Sequence, residues 1–176
     1  MLYALIETGR IKRGDKVIVP AVSWATDLSP VVQLGLEPVL CDCNLEDLSI
    51  DINHFKKLIK EHNPSALILV SVLGLVPDMK TIVDLCEENN IVLLEDACES
   101  LGAEFEQKKI GNFGLMSSFS TYFGHHMSTI EGGMVCTNDK QIYNVLKSIR
   151  SHGWDRDMDA EERERLRKLH KVNEFD

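Results

Sequence analysis

Two uninterrupted apolar runs, Ala66-Leu67-Ile68-Leu69-Val70 and Ile91-Val92-Leu93-Leu94, restrict the fold of this chain more than any other feature. A strand that is apolar at every position must be covered on both faces, which is the condition of a buried parallel sheet. Shorter β-rich segments at 16–20 and 38–42 precede them. The intervening stretches have helical periodicity. Asp51 can cap a helix that places Ile52, Phe55, Leu58 and Ile59 on one face, and 78–88 does the same with Ile82, Val83, Leu85 and Cys86. This alternation predicts an α/β fold with a central, mostly parallel sheet flanked by helices. Ligands of such sheets bind beyond the carboxyl ends of the strands, which directs attention to residues 19–24, 72–74 and 95–96.

The rest of the chain is more broken. Residues 2–8 read as the last turns of a helix closing at Gly9, and 30–34 as a short helix with Ser29 as cap and Pro30 at its first position. From 102 to 137 the segments shorten: Ala103-Glu104-Phe105, a polar turn holding Lys108-Lys109, residues 117–122, and Met134-Val135-Cys136-Thr137 after Gly132-Gly133. Asn138-Asp139 then opens a helix through Ile142, Val145, Leu146 and Ile149. Residues 155–176 carry fourteen charged side chains, too many for a core, and read as a solvated surface helix or tail.

Charge narrows the partners. Nineteen Lys and Arg against 28 Asp and Glu give a net charge of −9, which argues against nucleic acid and against an anionic membrane surface. No apolar run reaches the roughly 20 residues of a membrane helix, and the first residues lack the basic flank of a secretory signal, so the expected location is cytoplasmic. Cys41, Cys43, Cys86, Cys98 and Cys136 show no C-x-x-C spacing and read as reduced core or strand residues. His125, His126 and His152 lack metal-ligand spacing, so no metal is expected.

Asp96 ends a buried apolar strand, where a carboxylate is costly unless donors or a cation meet it. Spacing alone leaves two readings open, a capping acid or a functional one. Further along lies a run rich in hydroxyls, glycine and histidine, Ser117-Ser118-Phe119-Ser120-Thr121-Tyr122-Phe123-Gly124-His125-His126-Met127-Ser128-Thr129-Ile130-Glu131-Gly132-Gly133. With Gly14-Asp15-Lys16-Val17-Ile18-Val19-Pro20-Ala21, Leu36-Glu37-Pro38-Val39, Asp42, Leu48-Ser49-Ile50-Asp51, Glu95-Asp96, Gly111-Asn112-Phe113-Gly114 and Glu131-Gly132-Gly133, the chain resembles the DegT/DnrJ/EryC1/StrS sugar aminotransferases, in the same order and up to about Trp154.

That resemblance implies the large-domain core of a fold-type-I enzyme of pyridoxal 5′-phosphate and pyridoxamine 5′-phosphate. Residues 1–154 would be part of this domain without its N-terminal phosphate loop, and 155–176 would lead toward a C-terminal small domain outside the chain. Where most members carry a lysine that holds the cofactor covalently, this chain has His125. Imidazole cannot form that bond, but with an ordinary pKa of about 6.5 it exchanges a proton near neutral pH. The histidine, together with Ser23-Trp24, Cys98-Glu99-Ser100 and Ser151-His152-Gly153-Trp154, resembles the branch that deoxygenates a nucleotide-linked 4-keto-6-deoxyhexose at C3, with GDP favoured as the nucleotide.

Carried over position by position, the resemblance makes His125 the catalytic base and His152 a second acid/base or substrate ligand. Asp96 would pair with the cofactor's ring nitrogen and Trp24 would lie on the ring face; the alternative reading of Trp24 is an ordinary core tryptophan after a strand end. Ser120 would donate to the phosphate and Glu99 would sit at the phenolic oxygen. Glutamate would regenerate the cofactor, and the enzyme would be a homodimer. His126, adjacent to His125 in extended backbone, points the other way and reads as structural. Two rivals remain: a perosamine-synthase-like 4-aminotransferase, and a non-catalytic member that serves as a dimer partner.

Overall fold

The computed structural model describes residues 1–173; the last charged residues of the 155–176 segment, Glu174 and Asp176, lie outside them. Strands β1 (Lys16–Pro20), β2 (Glu37–Cys41), β3 (Ala66–Val70) and β4 (Val92–Asp96) form where the apolar runs predict them. They join β7 (Met116–Ser120) and β8 (Gly133–Cys136) in one sheet of order β2-β1-β3-β4-β7-β8. All neighbours are parallel except β7 and β8. β3 is buried at all five positions, as its unbroken apolar sequence requires.

Helices cover both faces. On one face, β1 through Val17 and Val19, β3 through Ile68 and β4 through Leu94 pack with α1 (Leu2–Glu7), α2 (Ala25–Gln33) and α5 (Lys140–Arg150) by way of Leu5, Val31 and Ile142. On the other, Ile18, Leu67, Leu69 and Leu93 meet Phe55 and Leu58 of α3 (Ile52–His62) and Met79 and Ile82 of α4 (Met79–Glu88). Asp51, Asp78 and Asp139 each accept a backbone N–H three residues on, capping α3, α4 and α5. The final helix, α6 (Ala160–His170), has no buried residue.

Two expectations are corrected. The helix expected at 30–34 begins at Ala25, with Trp24 as its N-cap, and Pro30 lies inside it. Proline forfeits one backbone hydrogen bond there, and burial of Asp27 and Val31 along one side carries the helix through. Lys108-Lys109 is a strand, β6, paired antiparallel with β5 (Glu104–Phe105) rather than a turn. The turn is Glu106-Gln107, both in the left-handed region at φ 47° and 67°, as a tight two-residue hairpin demands. Lys109 pairs with Glu104, and Lys108 lies 4.4 Å over the Phe113 ring.

Candidate functional site

Alternation along β4 sends its last two side chains to opposite faces. Glu95 turns toward the α3 and α4 face and Asp96 toward the α2 and α5 face. Glu95 is 1% exposed, and its carboxylate accepts the N–H groups of Gly111, Phe113 and Gly114 at 2.7, 2.6 and 2.5 Å. The glycines are required by close approach: a Cβ on Gly111 would lie 2.5 Å from Phe119 Cζ, and one on Gly114 would lie 2.6 Å from the Leu93 carbonyl oxygen. The Gly111-Asn112-Phe113-Gly114 motif therefore exists to satisfy a buried charge.

Asp96 is met differently. Its Oδ1 accepts the Cys98 N–H at 2.9 Å, and the Asp27 carboxyl is near enough to feel its charge. Asp27 lies in the first turn of α2 and takes a hydrogen bond from Ser23 Oγ at 2.7 Å. Burial, then the charge of Asp96, pushes the Asp27 carboxyl up to about 7. Burial pushes the Cys98 thiol up to about 12, and Cys41 and Cys86 rise likewise, so these thiols stay protonated at neutral pH. Among the described residues, no group of three or more His, Cys, Asp or Glu side chains is arranged to hold a metal ion.

Trp24, one helical turn before Asp27, is 77% exposed, an unusual position for an indole with no partner to cover it. Ser120 ends β7 two residues beyond Ser118, the register partner of Asp96, and so shares its face. Its Oγ accepts the Tyr122 N–H at 3.1 Å, leaving the hydroxyl proton free to donate.

The loop from β7 to β8 carries His125. Bonds from Thr121 N to Gly132 O (2.9 Å), Phe123 N to Ile130 O (3.0 Å) and His125 N to Tyr122 O (3.0 Å) fold it back over the carboxyl end of the sheet. The imidazole packs edge-on against Tyr122, with centroids 5.7 Å apart. Its Nδ1 is buried without a hydrogen-bond partner. A cavity of about 350 Å³ is lined by His125, His126, Gly124, Glu99 and Leu73. Glu99 is held there by the Leu73 N–H, which reaches Oε2 at 2.8 Å. Leu73 adopts φ 54°, a conformation that costs a leucine about 1–2 kcal/mol and is repaid in part by that charge-assisted bond.

The fold thus brings Trp24, Asp96, Glu99, Ser120 and His125 to one end of the sheet. His126 also lines the cavity, so the expectation that it points away is corrected: the loop turns at this place and strand alternation does not hold. His152 follows α5 at φ 61°, is exposed, and is outside the cavity lining. Sequence reasoning missed Asp27, hidden by the late start assigned to α2, and gave Glu95 no role although its alternation with Asp96 was visible.

A planar aromatic ligand carrying a phosphate and a basic ring nitrogen fits this donor set. There is a bare indole face, a half-buried acid, a hydroxyl with a free proton, a carboxylate with a second oxygen, and an imidazole nitrogen that lacks a partner. That is the architecture of pyridoxal-phosphate enzymes. The chain belongs to the DegT/DnrJ/EryC1/StrS aminotransferase family, whose model matches residues 1–172.

It is 43% identical over 160 residues to GDP-4-keto-6-deoxy-D-mannose 3-dehydratase of Yersinia pseudotuberculosis, covering 90% of this chain and 40% of that protein. It is 32% identical over 143 residues to GDP-perosamine synthase of Vibrio cholerae, covering 81% and 39%. The solved E. coli GDP-4-keto-6-deoxy-D-mannose 3-dehydratase with bound hydrated PLP superposes with a TM-score of 0.86 at 41% identity, covering 90% of this chain and 41% of that one. A structure of such a dehydratase with a trapped PLP-glutamate geminal diamine matches with the same TM-score at 40% identity, covering 90% and 42%. The chain spans about 40% of the length of the curated relatives it matches.

Proposed function

We propose that this chain supplies the cofactor-facing part of an enzyme that uses pyridoxamine and pyridoxal 5′-phosphate to remove the C3 hydroxyl of a GDP-linked 4-keto-6-deoxyhexose, with glutamate restoring the amine. When bound, the cofactor supplies an amine for the sugar's keto carbon and a ring that takes up electrons. Trp24 offers its indole to the ring face, Asp96 accepts the ring N–H, and Ser120 donates its hydroxyl proton to the phosphate. The Glu99 oxygen not engaged by Leu73 accepts from the phenolic position. His125 takes a proton from the cofactor's methylene carbon and returns one near neutral pH. His152 is assigned as a second acid/base or substrate ligand.

The observation that carries this reading is His125 itself. An unpartnered, buried imidazole nitrogen belongs to a side chain facing the Glu99 cavity, and the sequence contains no lysine between Lys109 and Lys140. Cytoplasmic location and a homodimer belong to the same proposal. Among the described residues no helix is long and apolar enough to cross a membrane, and Phe123, Met127, Ile130 and Met134 expose apolar surface around the site loop of the kind that partners cover.

Incubation with glutamate, pyridoxal phosphate and GDP-4-keto-6-deoxymannose, followed by mass spectrometry, tests the reading. A 3-deoxy-4-keto product is expected. A 4-amino sugar in its place identifies an aminotransferase and favours the perosamine-synthase-like alternative. If neither product forms and dialysis removes the cofactor, the chain is a non-catalytic dimer partner.

A further inference from the structure

The turn that follows β3 is tied at two points to the acids of the site. Ser71 N–H donates to the Asp96 carbonyl oxygen at 3.2 Å, and Leu73 N–H donates to Glu99 Oε2 at 2.8 Å. Inside the turn, Gly74 N–H reaches the Ser71 carbonyl at 3.3 Å and Leu75 N–H reaches the Val72 carbonyl at 2.9 Å. Leu73 is thereby fixed between Asp96, whose register partner on β3 is Val70, and Glu99.

Leu73 is unusual on two counts. It holds φ 54° and ψ 20°, and its surface is 72% exposed. A left-handed leucine is strained, and an exposed one gains little from burial to offset the strain. Glycine or asparagine would hold the same turn with less strain. Of the nine non-glycine residues with positive φ among the described residues, Leu73 alone lines the cavity shared by Glu99 and His125. A strained apolar side chain kept on a cavity wall, with little return from the fold, points to a ligand.

We propose that Leu73 is a cofactor-binding residue whose side chain takes the C2 methyl group of the pyridoxal phosphate ring in apolar contact. The statement rests on the assignments of Asp96 and Glu99 in the proposed function. In that ring the nitrogen is N1 and the phenolic oxygen stands on C3, so the atom between the groups that Asp96 and Glu99 address is C2, which carries a methyl. On the protein, the residue tied between those two acids is Leu73. His125 lines the same cavity and is assigned to the methylene carbon on C4. Asp96, Leu73, Glu99 and His125 thus serve N1, C2, C3 and C4 in turn. A side chain with no polar atom suits a group that can neither donate nor accept a hydrogen bond.

Equilibrium dialysis of the full 176-residue chain against pyridoxal phosphate, and against its 2-nor analogue that lacks only the C2 methyl, tests the contact. One buried methyl group is worth about fourfold in affinity, so the unsubstituted chain should prefer pyridoxal phosphate by about that factor. Leu73→Asn is close in volume and accepts left-handed backbone; it should lose the preference and bind the 2-nor analogue within about twofold of the unsubstituted chain. Leu73→Met, still apolar, should keep the preference. Without ligand, Leu73→Asn should raise the thermal midpoint by about 2–4 °C as the strain is relieved.

Equal affinity of the unsubstituted chain for the two ligands overturns the methyl contact and leaves the cofactor reading standing. A preference that survives Leu73→Asn, or is lost in Leu73→Met, does the same. An unchanged or lowered midpoint in Leu73→Asn overturns the view that the leucine is kept against strain. Failure of the unsubstituted chain to bind either ligand overturns the cofactor reading of the site and the contact with it, and the midpoint then judges the strain on its own.

Discussion

Glu95 and Asp96 are neighbours in sequence and alike in chemistry, yet the fold treats them in opposite ways. Glu95 is closed off, its charge spread over three backbone N–H groups from one glycine-bearing loop. Asp96 is half-buried and receives one backbone N–H, so it retains capacity for a further partner. A carboxylate whose donors are all supplied by the chain is structural. One left short of donors at a strand's carboxyl end is available for chemistry.

The contrast can be broken from the structural side first. Glu95→Ala leaves three partly buried N–H groups without their acceptor and opens a cavity, and should destabilise the chain by about 3–5 kcal/mol, read as a lowered urea midpoint. Gly114→Ala strikes the same knot through backbone, where a Cβ 2.6 Å from the Leu93 carbonyl cannot be relieved by a side-chain rotation. A loss of about 1–3 kcal/mol in the same measurement is expected.

On the functional side, stability should respond weakly or in the opposite sense. Asp96→Asn removes the charge that opposes ionisation of Asp27. Because the raised Asp27 carboxyl makes stability fall as pH rises toward about 7, this substitution should lessen the fall and leave the chain about 1 kcal/mol more stable at pH 8, while pyridoxal phosphate is no longer retained through dialysis. Chemical denaturation at pH 5 and pH 8 checks the first outcome and absorbance after dialysis the second. His125→Asn should change stability least, within about 0.5 kcal/mol, because the buried Nδ1 has no hydrogen bond to lose. Its effect belongs to product formation, which should drop about 10²–10⁴-fold when a general base is removed.

The same contrast marks what could be read from the sequence. The strands were legible because unbroken apolar runs have one stable environment, and α3, α4 and α5 because a capping aspartate and a 3.6-residue period occur together. The start of α2 was not legible, since Pro30 and Ser29 form a sound local signal that burial of Asp27 and Val31 overrides. Asp27 was lost with it. The Lys108-Lys109 strand was also misplaced, as two lysines carry no strand signal and the pairing is set by the Glu106-Gln107 backbone. The roles expected of His125, Asp96, Trp24, Ser120 and Glu99 came from motif resemblance rather than periodicity, and His126 was misdirected because alternation was applied to a turning loop.

By itself, the sequence determined a parallel sheet covered on both faces, the end of it at which chemistry gathers, and a histidine where the family's lysine would stand. These are local facts: hydrophobic periodicity, caps, and residue identity at a motif. Tertiary structure alone decided that Glu95 is spent on three amides from residues 111–114 while Asp96 faces Asp27. Those outcomes depend on which segments, sixteen to nineteen residues away in one case and on a different helix in the other, arrive beside a strand whose side chains alternate.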